Sequence, residues 1–139
     1  MDAAFGAFEI SHSGLRAQRI RLDVIANNIA NINTTRTPQG GPFRRQMALF
    51  SANPLEPAPI SDGRGVEVSQ IVPDMSPFKT VYDPGHPDAD ANGYVLMPNV
   101  DVAVEMVDLI SATRSYEANI ASINATKQIL RKALEIIEP

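Results

Sequence analysis

The residues best placed to do chemistry are acidic and lie in one short run. Asp88, Asp90 and Asn92 alternate with alanine and end at Gly93. That is the oxygen-donor spacing of the first half of a calcium loop, with Val95 as the apolar eighth position. The twelfth position should bring a bidentate Glu but is Asn99, and Asp83-Pro84-Gly85-His86-Pro87 cannot form the incoming helix. The expectation is therefore an Asx-rich turn leading into a strand rather than a calcium site. His86 among Asp83, Asp88 and Asp90 suggests a metal or acid–base centre, yet the only other imidazole is His12, in a helical segment. Ser13, Ser115 and Ser122 have no His/Asp arrangement around them, and Gly40-Gly41-Pro42 reads as a turn, not a phosphate cradle. Arg16, Arg19, Arg21, Arg44 and Arg45 are few and offset by acids. No enzyme, metal or cofactor is expected.

Composition excludes further classes. The chain has 139 residues, a net charge of −4 and a sequence pI near 5.1, so it lacks the positive charge that nucleic-acid binding needs. The absence of cysteine removes disulfides and thiolate metal sites. No run reaches the length of a membrane span, so no membrane insertion is expected, and Met1–Ile10 does not read as a cleavable signal peptide.

Whatever the chain does must rest on its long elements. From Asn99 to Glu138, Val102, Leu109, Tyr116, Ile123, Leu130 and Ile137 hold one seven-residue register. Met106, Ile120 and Leu134 form a second seam, interrupted by Thr113 and Lys127. This period predicts a supercoiled helix of about 60 Å, with Asn99 as its N-cap. Val107, Ile110, Ile129 and Ile136 widen the apolar face beyond what one partner helix covers.

Residues 1–33 form the second helical candidate, with Met1, Phe8, Leu15, Leu22 and Ile29 in one register and Ile25 and Ile32 beside it. Ser11 and Gln18 weaken the neighbouring seam, and Gly6 and Gly14 each cost about 1 kcal/mol in a helix interior. A break or fraying near 11–14 is expected. Asn27, Asn28 and Asn31 fit two readings equally: a frayed terminus, or polar contacts that fix register between helices.

Residues 34–98 carry ten of the eleven prolines and six of the eight glycines, which excludes long helices. Strands are predicted at Phe43–Phe50, Gly65–Val72 and Lys79–Tyr82, with Gly93–Met97 as a hairpin partner of the last. Asn53–Ser61 reads as a loop or extended linker. The expected fold is mainly α with a small β-containing insert. Residues 1–33 and 99–139 make one discontinuous coiled-coil domain, and 34–98 the insert. The helices either close as a simple hairpin or share a coiled-coil layer among many subunits; the continuous C-terminal stripe favours the second.

Several ordered motifs then coincide. Ser13-Gly14-Leu15-Arg16-Ala17-Gln18 and Val24-Ile25-Ala26-Asn27-Asn28-Ile29-Ala30-Asn31 resemble the N-terminal signature of bacterial flagellar rod and hook proteins. Thr34-Thr35-Arg36-Thr37-Pro38, Gly40 to Arg45, Asp83 to Asp90, Gly93-Tyr94-Val95 and Met97 to Val100 resemble the proximal-rod members in particular. Glu105 to Ile110 and Arg114 to Asn119 complete a likeness over about residues 11–49 and 82–137; Phe50–Ile71 matches nothing, and the length suits a proximal-rod protein.

The resemblance implies a non-catalytic subunit of the basal-body rod, the drive shaft that spans the periplasm and transmits torque. It implies export without cleavage by the flagellar type III apparatus, terminal helices packed as coiled coils in the wall of a helical tube, and an insert that touches neighbouring subunits. The implied partners are further copies, other rod proteins, and adaptor and ring components of the basal body. The expected subunit interface comprises Leu15, Leu22, Ile25, Asn27, Asn28, Ile29 and Asn31 with Val102, Met106, Leu109, Tyr116, Ile120, Ile123, Leu130, Leu134 and Ile137. The alternatives are another axial protein of the same family, or a soluble helical-hairpin adaptor of the export system.

Overall fold

The computed structural model describes residues 2–54 and 64–137, with side chains over 6–52 and 65–136. The elements run α1 (Asp2–Ala30), β1 (Gln46–Pro54), β2 (Arg64–Pro73), β3 (Lys79–Tyr82), β4 (Tyr94–Met97) and α2 (Val102–Ile137). Two long helices thus flank two small antiparallel strand pairs, β1–β2 and β3–β4.

Helix α1 is continuous, so the break expected near residues 11–14 does not occur. Gly14 is the reason. A Cβ there would lie 2.9 Å from the carboxamide of Asn119, so the residue read as a helix breaker is what lets α2 approach. The helix ends where the asparagines take over its carbonyls. Asn31 Nδ2 donates to Asn27 O at 2.9 Å, and Asn31 O accepts from Thr34 N at 3.0 Å.

The helices run antiparallel. Ser11 meets Ser122 (Oγ–Oγ 3.1 Å), Gly14 meets Asn119, Arg21 meets Asp108 and Asn28 meets Glu105. The seven-residue period on α2 is as expected, but its phase is not. The line turned towards α1 is Glu105, Ala112, Asn119 and Thr126, all buried or half-buried. Leu109, Tyr116, Ile123 and Leu130 flank it half-buried, while Val102, Met106, Ile120 and Leu134 stay exposed. Small and polar side chains allow the closer approach, so they take the centre of the seam and push the bulky residues aside.

The cap of α2 also differs from expectation. Asp101 Oδ1 accepts from Ala103 N at 2.9 Å and is the N-cap. Asn99 instead braces the insert: its Oδ1 accepts from Arg45 N at 2.8 Å and its Nδ2 donates to Asp74 O at 3.0 Å and Ser76 O at 3.1 Å.

Strands β1 and β2 pair from Gln46↔Pro73 to Pro54↔Arg64, with a bulge between Leu49 and Phe50. β1 starts at Gln46, three residues later than predicted, because Phe43 N is held by Thr34 O and residues 44–45 are committed to the helix junction. Most of the expected loop at 53–61 lies outside the described residues. The strand pair docks on the second face of α1, where Ser13 Oγ accepts from Val66 N at 3.0 Å and Ala17 and Val24 are buried. The small pair β3–β4 keeps the predicted register, Lys79↔Met97 to Tyr82↔Tyr94, and buries Val95 beside Pro98 and Val100.

The accessible surface is 9666 Å². A compact monomer of 15.1 kDa would expose about 7,100 Å². Part of the excess is apolar side chains of α2, among them Val107 at 67% and Ile110 at 52% exposed.

Candidate assembly surface and polar junction

Two features stand apart: a charged junction where helices and insert meet, and an apolar stripe on the outside of α2. The junction is centred on Glu105, whose side chain is wholly enclosed. Its Oε1 accepts from Arg45 Nε at 2.5 Å and its Oε2 from Asn28 Nδ2 at 3.1 Å. A buried carboxylate is tolerable only with such donors on both oxygens.

Arg45 spreads its guanidinium over three acids, reaching Asp108 Oδ2 at 3.1 Å and Asp74 Oδ2 at 3.6 Å as well as Glu105. Burial opposes its charge, but the hydrogen bond and charge of Glu105, with the charges of Asp108 and Asp74, outweigh that and hold its pKa above the ordinary value. Arg21 closes the circuit on Asp108 Oδ1 at 3.2 Å. Asn28 is 1% exposed and uses its whole amide: Oδ1 accepts from Gln46 N and Nδ2 donates to Gln46 O, both at 2.9 Å, besides the contact to Glu105.

This places the three asparagines. Asn28 joins α1 to β1 and α2, Asn31 caps the helix, and Asn27 remains exposed with a long contact to Gln46 Oε1 at 3.3 Å. Asn28 and Ile25 are buried within the chain. Leu15, Leu22 and Ile29 are half-buried on α1. The side chain of Ile137 lies outside the described residues.

The acidic loop adopts turn geometry. Asp90 Oδ1 accepts from Asn92 N at 2.8 Å and Tyr94 N at 2.9 Å, and Gly93 takes φ +83°. Asp88 is bound by Thr35 Oγ1 at 2.7 Å and by Arg36, and His86 Nδ1 accepts from Asp88 N at 3.0 Å. These carboxylates are spent on the loop, so the geometry matches the Asx-turn expectation. Among the described residues no group of three His, Cys, Asp or Glu side chains could hold a metal.

The stripe lies opposite. Met106, Val107, Ile110, Ile120 and Leu134 are each between 39% and 67% exposed, along most of the length of α2. Residues of this kind on one face of a helix need a partner surface. Among the described residues no helix is long and apolar enough to cross a membrane.

Comparison with known proteins fits an assembling surface. Residues 8–36 match the family described as "Flagella basal body rod protein", and residues 91–136 the family described as "Flagellar basal body rod FlgEFG protein C-terminal". The flagellar basal-body rod protein FlgC of Borreliella burgdorferi is 49% identical, over 96% of this chain and 97% of its own length. The chain belongs to the FlgC family of flagellar basal-body rod proteins. Among its relatives, the FlgC proteins of Bacillus subtilis and Salmonella typhimurium are 48% and 44% identical, each over 96% of this chain and at least 97% of their own length.

The FlgC signatures fall on the helix pair and its junction. Sequence reasoning passed over Gln46 and Glu105 and set Arg45 aside as one of a few arginines offset by acids. Arg45 and Glu105 lay inside the quoted motifs, but nothing in their spacing showed that positions 60 apart share a hydrogen bond.

Proposed function

We propose that this FlgC-family chain is a non-catalytic structural subunit of the proximal rod of the flagellar basal body, assembling helically and transmitting torque. The observation that carries the reading is the exposed apolar stripe on α2. It lies outside the intrachain seam and continues for several turns. Further copies and other rod proteins cover it, so that the terminal helices become coiled coils in the wall of the rod. Residues 1–33 and 99–139 act as the coil-forming domain and 34–98 as the insert that meets neighbours. Contacts to adaptor and ring components, and export through the type III apparatus into a position across the periplasm, follow from the same reading.

The test uses exposed residues, so that folding is spared. Val107→Asp and Ile110→Asp should leave the helix content and melting of the purified chain unchanged. Produced in cells lacking the native protein, they should give no hooks by electron microscopy. Hooks at normal number would overturn the assignment of this stripe to assembly.

A further inference from the structure

Helix α2 carries two parallel seven-residue lines of opposite character. Glu105, Ala112, Asn119 and Thr126 face α1, and Met106, Ile120 and Leu134 face outward. The facing line of α1 is polar or small apart from the buried Ile25: Ser11, Gly14, Gln18, Arg21 and Asn28. Soluble helical hairpins ordinarily place the apolar line inside. Here the centre of the α2 seam is polar or small, and the apolar Leu109, Tyr116, Ile123 and Leu130 are half-buried at its edge.

We infer that the polar seam is a recognition code: it selects the chain's own α1, in one register, as the partner of that face of α2. Apolar burial is non-directional and tolerates any partner with the same seven-residue period. Polar groups do not, since each misplaced one is left buried without a partner. Sliding α1 by one heptad would set Asn28 against Ala112 and Ser11 against Ile129, so that Asn28 would lose Glu105 and Ser11 would lose Ser122. The same slide would remove Gly14 from Asn119, where the missing Cβ leaves room for the carboxamide as it is placed. One polar atom, Gln18 Oε1, is enclosed without a partner among the described residues. A seam built for stability alone would not keep it. The apolar line on the outer face remains free for other helices. This inference concerns pairing within one chain and stands whether or not the outer stripe serves the rod.

The absence of native cysteine makes the register directly readable. In the full chain, the pair Ser11→Cys with Ser122→Cys reports the native register, because the two hydroxyls are 3.1 Å apart. The pair Ser11→Cys with Ile129→Cys reports a one-heptad slip. Under mild oxidation the native seam should give the intrachain 11–122 link and no 11–129 link, read by non-reducing gels and peptide mass. The near-isosteric apolar seam, Gln18→Leu with Asn119→Leu, should lower the ratio of intrachain to interchain product by at least about tenfold, and 11–129 links should appear. Asn119→Ser, which stays polar, should behave as native. An apolar seam that still gives only the intrachain 11–122 link would overturn the inference. Loss of helix by circular dichroism in that variant would also overturn it, because the polar groups would then hold the fold and not choose the partner.

Discussion

The side-chain amide of Asn28 is paired with the backbone of Gln46 as a neighbouring strand would be, one bond in each direction, both 2.9 Å. Its Nδ2 also reaches the enclosed carboxylate of Glu105. Asn28→Ala should therefore cost about 2 kcal/mol or more, since the enclosed Glu105 carboxylate and both backbone groups of the half-buried Gln46 lose a partner at once. Asn28→Asp should cost at least as much, by placing a second carboxylate against Glu105. Urea unfolding followed by circular dichroism gives both values.

Among the described residues, Arg45 is the cation that pairs with Glu105. Arg45→Ala should destabilise by about 3–5 kcal/mol, the range for stranding one member of a buried pair. Arg45→Lys should recover little, because an ammonium cannot place donors on Glu105, Asp108 and Asp74 together. A double-mutant cycle with Glu105→Gln separates the Arg45–Glu105 coupling from what Arg45 gains from the other acids.

Acid should loosen the insert. Hydrogen bonds from Ser76, and then Arg45, hold the Asp74 carboxyl below its ordinary range, and Thr35, with Arg36, does the same for Asp88. Both groups sit lower in the folded chain than in the unfolded one. Their stabilisation is thus complete above about pH 4 and is lost as pH falls through the folded values. Thermal melts of Asp74→Asn and Asp88→Asn should show a shallower loss of Tm below about pH 4 than the native chain. An unchanged slope in both would show that other carboxylates govern the acid limb.

Gly93 combines φ +83° with a close approach, its missing Cβ falling 2.9 Å from Tyr82 Cε2. Gly93→Ala should cost more than about 1 kcal/mol and disturb the edge-on contact of Tyr82 with Tyr94. Tyrosine near-ultraviolet dichroism should change with it. Gly40 has φ +88° but no atom within 4 Å of its missing Cβ, so Gly40→Ala carries only the backbone penalty and gives a measured comparison.

Much of the architecture was legible in the sequence. The extent of α2, the existence of α1 and the pairing of β3 with β4 follow from period and turn residues. The acidic loop read correctly as a turn because its twelfth position lacks a glutamate. What escaped was phase. A search for hydrophobic periodicity finds the line through Met106 and Ile120 and assigns it inward, since it weighs bulk and not closeness of approach. The line through Ala112 and Asn119 has the same period and no hydrophobic signal. Gly14 and Asn99 were misjudged for a related reason. Propensity scales describe a residue in its own helix, whereas these two act on segments more than 20 residues away.

The excess of exposed surface sets the thermodynamics of the isolated subunit. The heat capacity and denaturant slope of unfolding both scale with apolar area that becomes wet, and in this chain part of that area is wet beforehand. The free chain should show a smaller ΔCp than a compact domain of 139 residues and a flatter stability curve, one that barely bends towards cold denaturation. The missing heat capacity belongs to contacts formed later, when the outer face of α2 is covered. Calorimetry of association should recover it.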